Sequence, residues 1–235
     1  MRGAFDHILH WRLLPGSHAF PGPDGGTCIN EAAIVAAGLP YRAIRSSADC
    51  PPCFSRPLAA YALGLNDAMP DAERPRLMSF VLRLSGSADD PAVEAARTAH
   101  LTLQTVRRLL PGVLEQVALT AEAEGCRTAD HLEEAVAAAR AASWAAGSVA
   151  DAAARGGVWI RGARAAAACR AATFAAETDA RAAADAAEAA ALFSPAVWAE
   201  AVAILDEALA IGRQAPPLAV ETARRRMDEA RAGIA

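Results

Sequence analysis

The most regular hydrophobic pattern lies near the end of the chain. In "SPAVWAEAVAILDEALAIG" (194–212), Val197, Trp198, Ala201, Ile204, Leu205, Ala208 and Leu209 recur at three- and four-residue steps. That spacing predicts an amphipathic helix with one buried face. Gly212 and Pro216-Pro217 end it, and the charged stretch "ETARRRMDEARAG" predicts a terminal helix.

Punctuation places the earlier helices. "HILHWRLL" (7–14) reads as a short amphipathic opener stopped by Pro15-Gly16. "TCINEAAIVAAG" (27–38) starts at Thr27 as N-cap, and "RPLAAYALGLNDAM" (56–69) has Pro57 in its first turn. "RPRLMSFVLRLSG" (74–86) follows. The helix from Asp90 and Pro91 is expected to stop at Pro111-Gly112, and "VLEQVALTAEAEG" (113–125) at Gly125. Asp130 and Glu133 have capping-box spacing ahead of the next helix. "VWIRGARAAAACRAATFAAETDARAAADAAEAAALF" (158–193) reads as one long helix.

The chain changes character near Gly86. Before it Pro, Gly and Cys are frequent; after it alanine dominates and strand-like alternation is almost absent. The expectation is an all-α protein in two regions. Residues 1–86 form a loop-rich, Cys/His-containing helical region, and residues 87–235 an alanine-rich helical bundle or arm. Alanine has the best helix propensity and lets helices approach closely. This favours a close-packed hairpin or bundle over an extended coiled-coil arm, because Leu and Ile are too sparse for a strong a/d seam.

Composition limits the function classes. Of the 235 residues 54% are hydrophobic, but much of that is alanine, and with 5% aromatics the core is thin. A net charge of -4 gives no general support for nucleic-acid binding. No apolar run is long enough to span a bilayer, and the N-terminus lacks a signal-peptide core, so a cytoplasmic protein is expected. Five cysteines in a reducing compartment point to free thiols, a metal site or catalysis, not a disulfide framework.

Candidate chemistry gathers in "GSHAFPGPDGGTC" and "DCPPC". His18, Cys28, Cys50 and Cys53 make a Cys3His set of the kind that suits zinc, and Pro51-Pro52 stiffens the Cys-x-x-Cys turn. A plainer reading makes the cysteines small buried hydrophobes or free thiols. A third treats Cys28 as a nucleophile at a helix N-terminus, with His18 as base and Glu31 orienting it. No downstream His in a suitable loop completes a cysteine-hydrolase signature. A redox Cys50-Cys53 pair lacks the strand-helix context it needs. His7 and His10 share one helix and are read as edge residues. Cys126 and Cys169 are read as incidental, and "TVRRLL" and "ARRRMDEAR" as solvated faces. Asn66-Asp67 is expected to cap the turn toward Pro70.

Gly16, Ser17, His18, Gly26, Cys28, Glu31, Ala32, Cys53, Asn66, Asp67, Arg74 and Leu77, followed by an alanine-rich tail, form a pattern. It resembles a family of uncharacterised proteins of bacteria and phages, notably of actinobacteria. That family often carries His where this chain has Cys50, and His and Cys exchange readily as zinc ligands. The resemblance covers about the first third of the chain and implies no activity. The expected function is a non-enzymatic binding or adaptor protein with a structural zinc, and the resemblance implies a phage or prophage connection. Its partner would be another protein or a second copy, met through the C-terminal helices; no membrane or nucleic acid is expected. The alternative is a cysteine- or zinc-dependent hydrolase using Cys28 or an open metal site.

Overall fold

The computed structural model describes residues 12–18, 26–153, 156–177 and 179–232. It is all-α, with ten α-helices among these residues. The paired strands among them are β1 (Arg12–Leu13) and β2 (Gly26–Thr27), a two-residue parallel contact. Of the predicted opener, residues 7–11, with His7 and His10, lie outside the described residues, and Arg12–Leu13 is strand.

The chain forms two compact units, Met1–Glu94 with Leu209–Ala235, and Ala95–Ala208. The change of composition at Gly86 does not show where the chain's end packs, because composition reports helix-forming tendency, not contacts. In the first unit the Leu218 N–H donates to the Leu82 carbonyl at 2.9 Å. The Arg226 guanidinium donates to the Ala36 carbonyl at 3.0 Å.

The first unit is built around α1 (Ile29–Ala36), all eight residues of which are buried. It packs on α2 (Arg56–Ala68), on α10 (Val220–Ala232) and on a 3-10 segment, Arg74–Leu82. That segment is long for a 3-10 helix, and its pattern explains why. Arg74, Leu77 and Phe80, and likewise Met78 and Val81, recur every three residues and are buried, matching the three-residue turn. The N-cap of α1 is Cys28, not the expected Thr27.

α3 (Pro91–Gln104) begins as expected, with the Asp90 carboxylate accepting the Ala92 and Val93 N–H groups at 2.9 and 3.0 Å. The expected stop at Pro111-Gly112 does not occur. A π turn (Thr105–Leu109) leads into α4 (Leu110–Glu115), and the wider turn absorbs a proline that cannot continue a regular α ladder. The break comes instead at Ala118, in the left-handed region (φ 62°), before α5 (Thr120–Thr128).

α6 (Leu132–Ala153) opens with capping contacts from Glu134 and His131 in place of the predicted Asp130–Glu133 box. The Glu134 carboxylate accepts the Asp130 N–H at 2.9 Å, and His131 Nδ1 accepts the Glu134 N–H at 3.3 Å. The predicted long helix is two, α7 (Gly157–Glu177) and α8 (Arg181–Ala191), because the Asp179 carboxylate takes the Arg181 N–H at 2.9 Å and starts a new helix. α9 (Val197–Leu209) buries Trp198, Ala201, Ile204, Leu205, Ala208 and Leu209, as its periodicity predicts.

α6 packs on α7 and α7 on α8, so the alanine tracts form a close-packed bundle and not an extended arm. Ala135, Ala139 and Ala142 of α6 share a core with Ala168, Cys169 and Ala172 of α7 and with Leu110, Leu114 and Cys126. Among the described residues no helix is long and apolar enough to cross a membrane.

Candidate functional site

Of the predicted site residues, Cys28 belongs to a buried polar knot centred on Glu31. Its carboxylate accepts the Ser17 hydroxyl at 2.8 Å and the N–H groups of Cys28 and Ile44, each at 3.0 Å. Three donors satisfy a fully enclosed carboxylate. Asn66, at the end of α2, forms a second centre. Its amide donates to the Leu14 carbonyl at 2.8 Å and accepts the Ile29 N–H at 3.2 Å. Asp67 accepts the Gly16 N–H at 2.8 Å. The Asn66-Asp67 pair therefore holds the incoming chain beside α1 rather than capping its own turn. The buried Arg74 guanidinium joins the knot through the carbonyls of Asn66 (2.8 Å), Leu13 (3.4 Å) and Met69, with Asp71 outside.

The four predicted metal ligands have separate engagements. His18 Nε2 lies 2.8 Å from the Pro15 carbonyl, and the His18 carbonyl accepts the Tyr41 hydroxyl. Cys28 Sγ accepts the Glu31 N–H at 3.5 Å and is fully buried. Cys50 is buried, and its carbonyl accepts the Arg56 guanidinium at 2.7 Å. Cys53 is half-buried, with Sγ 4.0 Å from the Ser85 hydroxyl. Among the described residues no group of three or more His, Cys, Asp or Glu side chains is placed to hold a metal ion.

The helix N-terminus does not give Cys28 thiolate character. Burial, then the nearby Glu31 charge, pushes its thiol well above the ordinary cysteine value. Burial likewise pushes Cys50 to about 12. Cys126 and Cys169 are core residues, raised by burial to about 11 and about 12.

A second feature was not legible as a site in the sequence. On the outer face of the α6–α7 hairpin Trp144 is 78% exposed and Phe174 is 52% exposed. They line a groove of about 510 Å³ with Arg140, Gly147, Ser148 and Asp151, among others. Arg140 and Glu177 close one end of it with an ion pair at 2.9 Å. The signal was Trp144 inside "ARAASWAAGSVAD", off the alanine stripe that α6 buries.

Each of the two basic patches has an arginine paired with acids. Arg108 binds Glu200 and Glu207, and Arg225 binds Glu229 at 2.8 Å. Comparison with protein-family models, with curated proteins and with solved structures finds no match.

Proposed function

We propose that this protein is a non-enzymatic binding protein, and that the α6–α7 face is where it meets a protein partner. One observation carries the reading: Trp144 and Phe174 stand exposed in one groove of a hairpin whose alanine stripe is packed into the core. Two aromatic side chains in one groove, rimmed by an ion pair, have the composition of an interface centre rather than of a solvated helix face. The competing hydrolase reading needs a reachable thiolate at Cys28, whereas that thiol is enclosed and raised.

Hydroxyl-radical footprinting of Trp144 and Phe174 tests the binding reading. Both rings are expected to be protected inside expressing cells relative to the dilute purified chain. Equal oxidation in the two settings overturns it. Alkylation under native conditions tests the hydrolase reading, which requires Cys28 to react faster than Cys126 and Cys169.

A zinc held by His18, Cys28, Cys50 and Cys53 is a separate proposal for how the first unit is fixed. It is supported by the residue types and their spacing, and requires the donors to leave the partners described above. Elemental analysis of reduced protein decides it: one zinc per chain supports it, and metal-free protein with full helical signal rejects it.

A further inference from the structure

We infer that the partner of the α6–α7 face is a second copy of this chain, docked antiparallel across α6. This rests on the binding reading above and names the occupant. Arg140, Ser143, Trp144, Gly147, Ser148 and Asp151 line the groove at helical spacing. Their order is symmetric about the point between Ala145 and Ala146. Arg140 and Asp151 are equidistant from that point, as are Trp144 and Gly147, and Ser143 and Ser148.

A two-fold axis through that point therefore brings Arg140 to the level of Asp151 in the second copy and Trp144 to the level of Gly147: cation near anion, and the largest side chain near the smallest. Closed isologous dimers require this self-complementarity, and an unrelated partner does not. The space for the ring exists, because a Cβ built at Gly147 meets nothing within 4 Å. Arg140 and Arg170 are balanced by Asp151 and Glu177, so two copies of the face do not repel. The area also suffices. Twenty-two residues of α6 span about 33 Å. Two helices side by side are about 20 Å wide, giving roughly 650 Å² per copy, within the range of specific interfaces.

Sedimentation equilibrium on the full purified chain tests this. The wild type is expected to show a monomer–dimer equilibrium. Gly147→Arg is expected to be monomeric at every concentration, with unchanged helical circular dichroism. Arg140→Asp and Asp151→Arg are each expected to weaken the dimer about tenfold or more. The double variant is expected to restore it. Both the Arg140→Asp variant and the double variant lose the Arg140–Glu177 pair within the chain, so rescue reports the cross-copy contact. A monomeric wild type, a dimer that survives Gly147→Arg, or a charge swap without rescue overturns the inference. A monomeric wild type whose Trp144 is protected in cells overturns the dimer and keeps the binding reading; Trp144 unprotected in cells overturns both.

Discussion

Glu31 and Cys28 satisfy each other across the first turn of α1. The Glu31 carboxylate accepts the Cys28 N–H at 3.0 Å, and Cys28 Sγ accepts the Glu31 N–H at 3.5 Å. The second contact uses sulfur as a weak acceptor, so the carboxylate carries most of the stabilisation. Glu31→Gln keeps the shape but presents an NH2 group to a pocket of donors. We expect it to cost about 2–3 kcal/mol in urea unfolding. Cys28→Ser puts a stronger acceptor at the same cap and should cost less than 1 kcal/mol, or stabilise. Equal losses for the two variants would show that the box is not held by the carboxylate.

Asn66 links the incoming strand to the start of α1, and Arg74 takes the Asn66 carbonyl. Asn66→Ala leaves the buried Ile29 N–H and the part-buried Leu14 carbonyl without their partner, at a cost of about 2 kcal/mol. Arg74→Met removes a donor from several carbonyls and should cost a similar amount. Because the two residues share one network, the double variant should lose measurably less than the sum. Strict additivity in a double-mutant cycle would mean that they act independently.

The buried thiols make stability fall on the alkaline side. Burial lifts Cys50 and Cys169 to about 12 and Cys126 to about 11, from an ordinary value of 9.0. The unfolded chain releases these protons first. Their contribution is therefore full below pH 9 and is lost as pH rises from there toward 11–12. At pH 10 the loss is about 1 kcal/mol per thiol. Urea midpoints at pH 8, 9 and 10 should drop progressively, and Cys169→Ala should flatten the slope. A wild-type midpoint unchanged across that range excludes buried thiols as the cause.

The fold class was readable because alanine propensity and the α9 periodicity are local signals. Residues such as Trp198 and Ile204 are buried on the face their spacing predicts. Boundaries that depend on tertiary context were not readable. Pro111 reads as a stop, yet a π turn carries the chain through it, and Ala118 gives no sign in sequence of its left-handed backbone. At the N-terminal site the residue types Ser17, Cys28, Glu31 and Asn66 are legible in the sequence. Their contacts did not, because Asn66 reaches Leu14 across 52 positions and no spacing rule encodes that. Residue type also led to thiolate character at Cys28, where enclosure beside Glu31 works the other way.

The α6–α7 hairpin sets the same substitution against itself. Gly162 of α7 faces α6, and a Cβ there would lie 2.8 Å from the Ala150 backbone nitrogen and 3.1 Å from the Ala146 carbonyl. Backbone cannot swing aside as a side chain can, so Gly162→Ala must push the helices apart. We expect a loss of about 1–3 kcal/mol from overpacking, although alanine is the better helix former. Gly147 of α6 faces open space, so Gly147→Ala should stabilise the chain by about 0.5–1 kcal/mol. Thermal unfolding in dilute solution, where a second copy is absent, reads both. If Gly162→Ala also raises the melting temperature, the two helices are not in the close contact that the alanine stripe exists to allow.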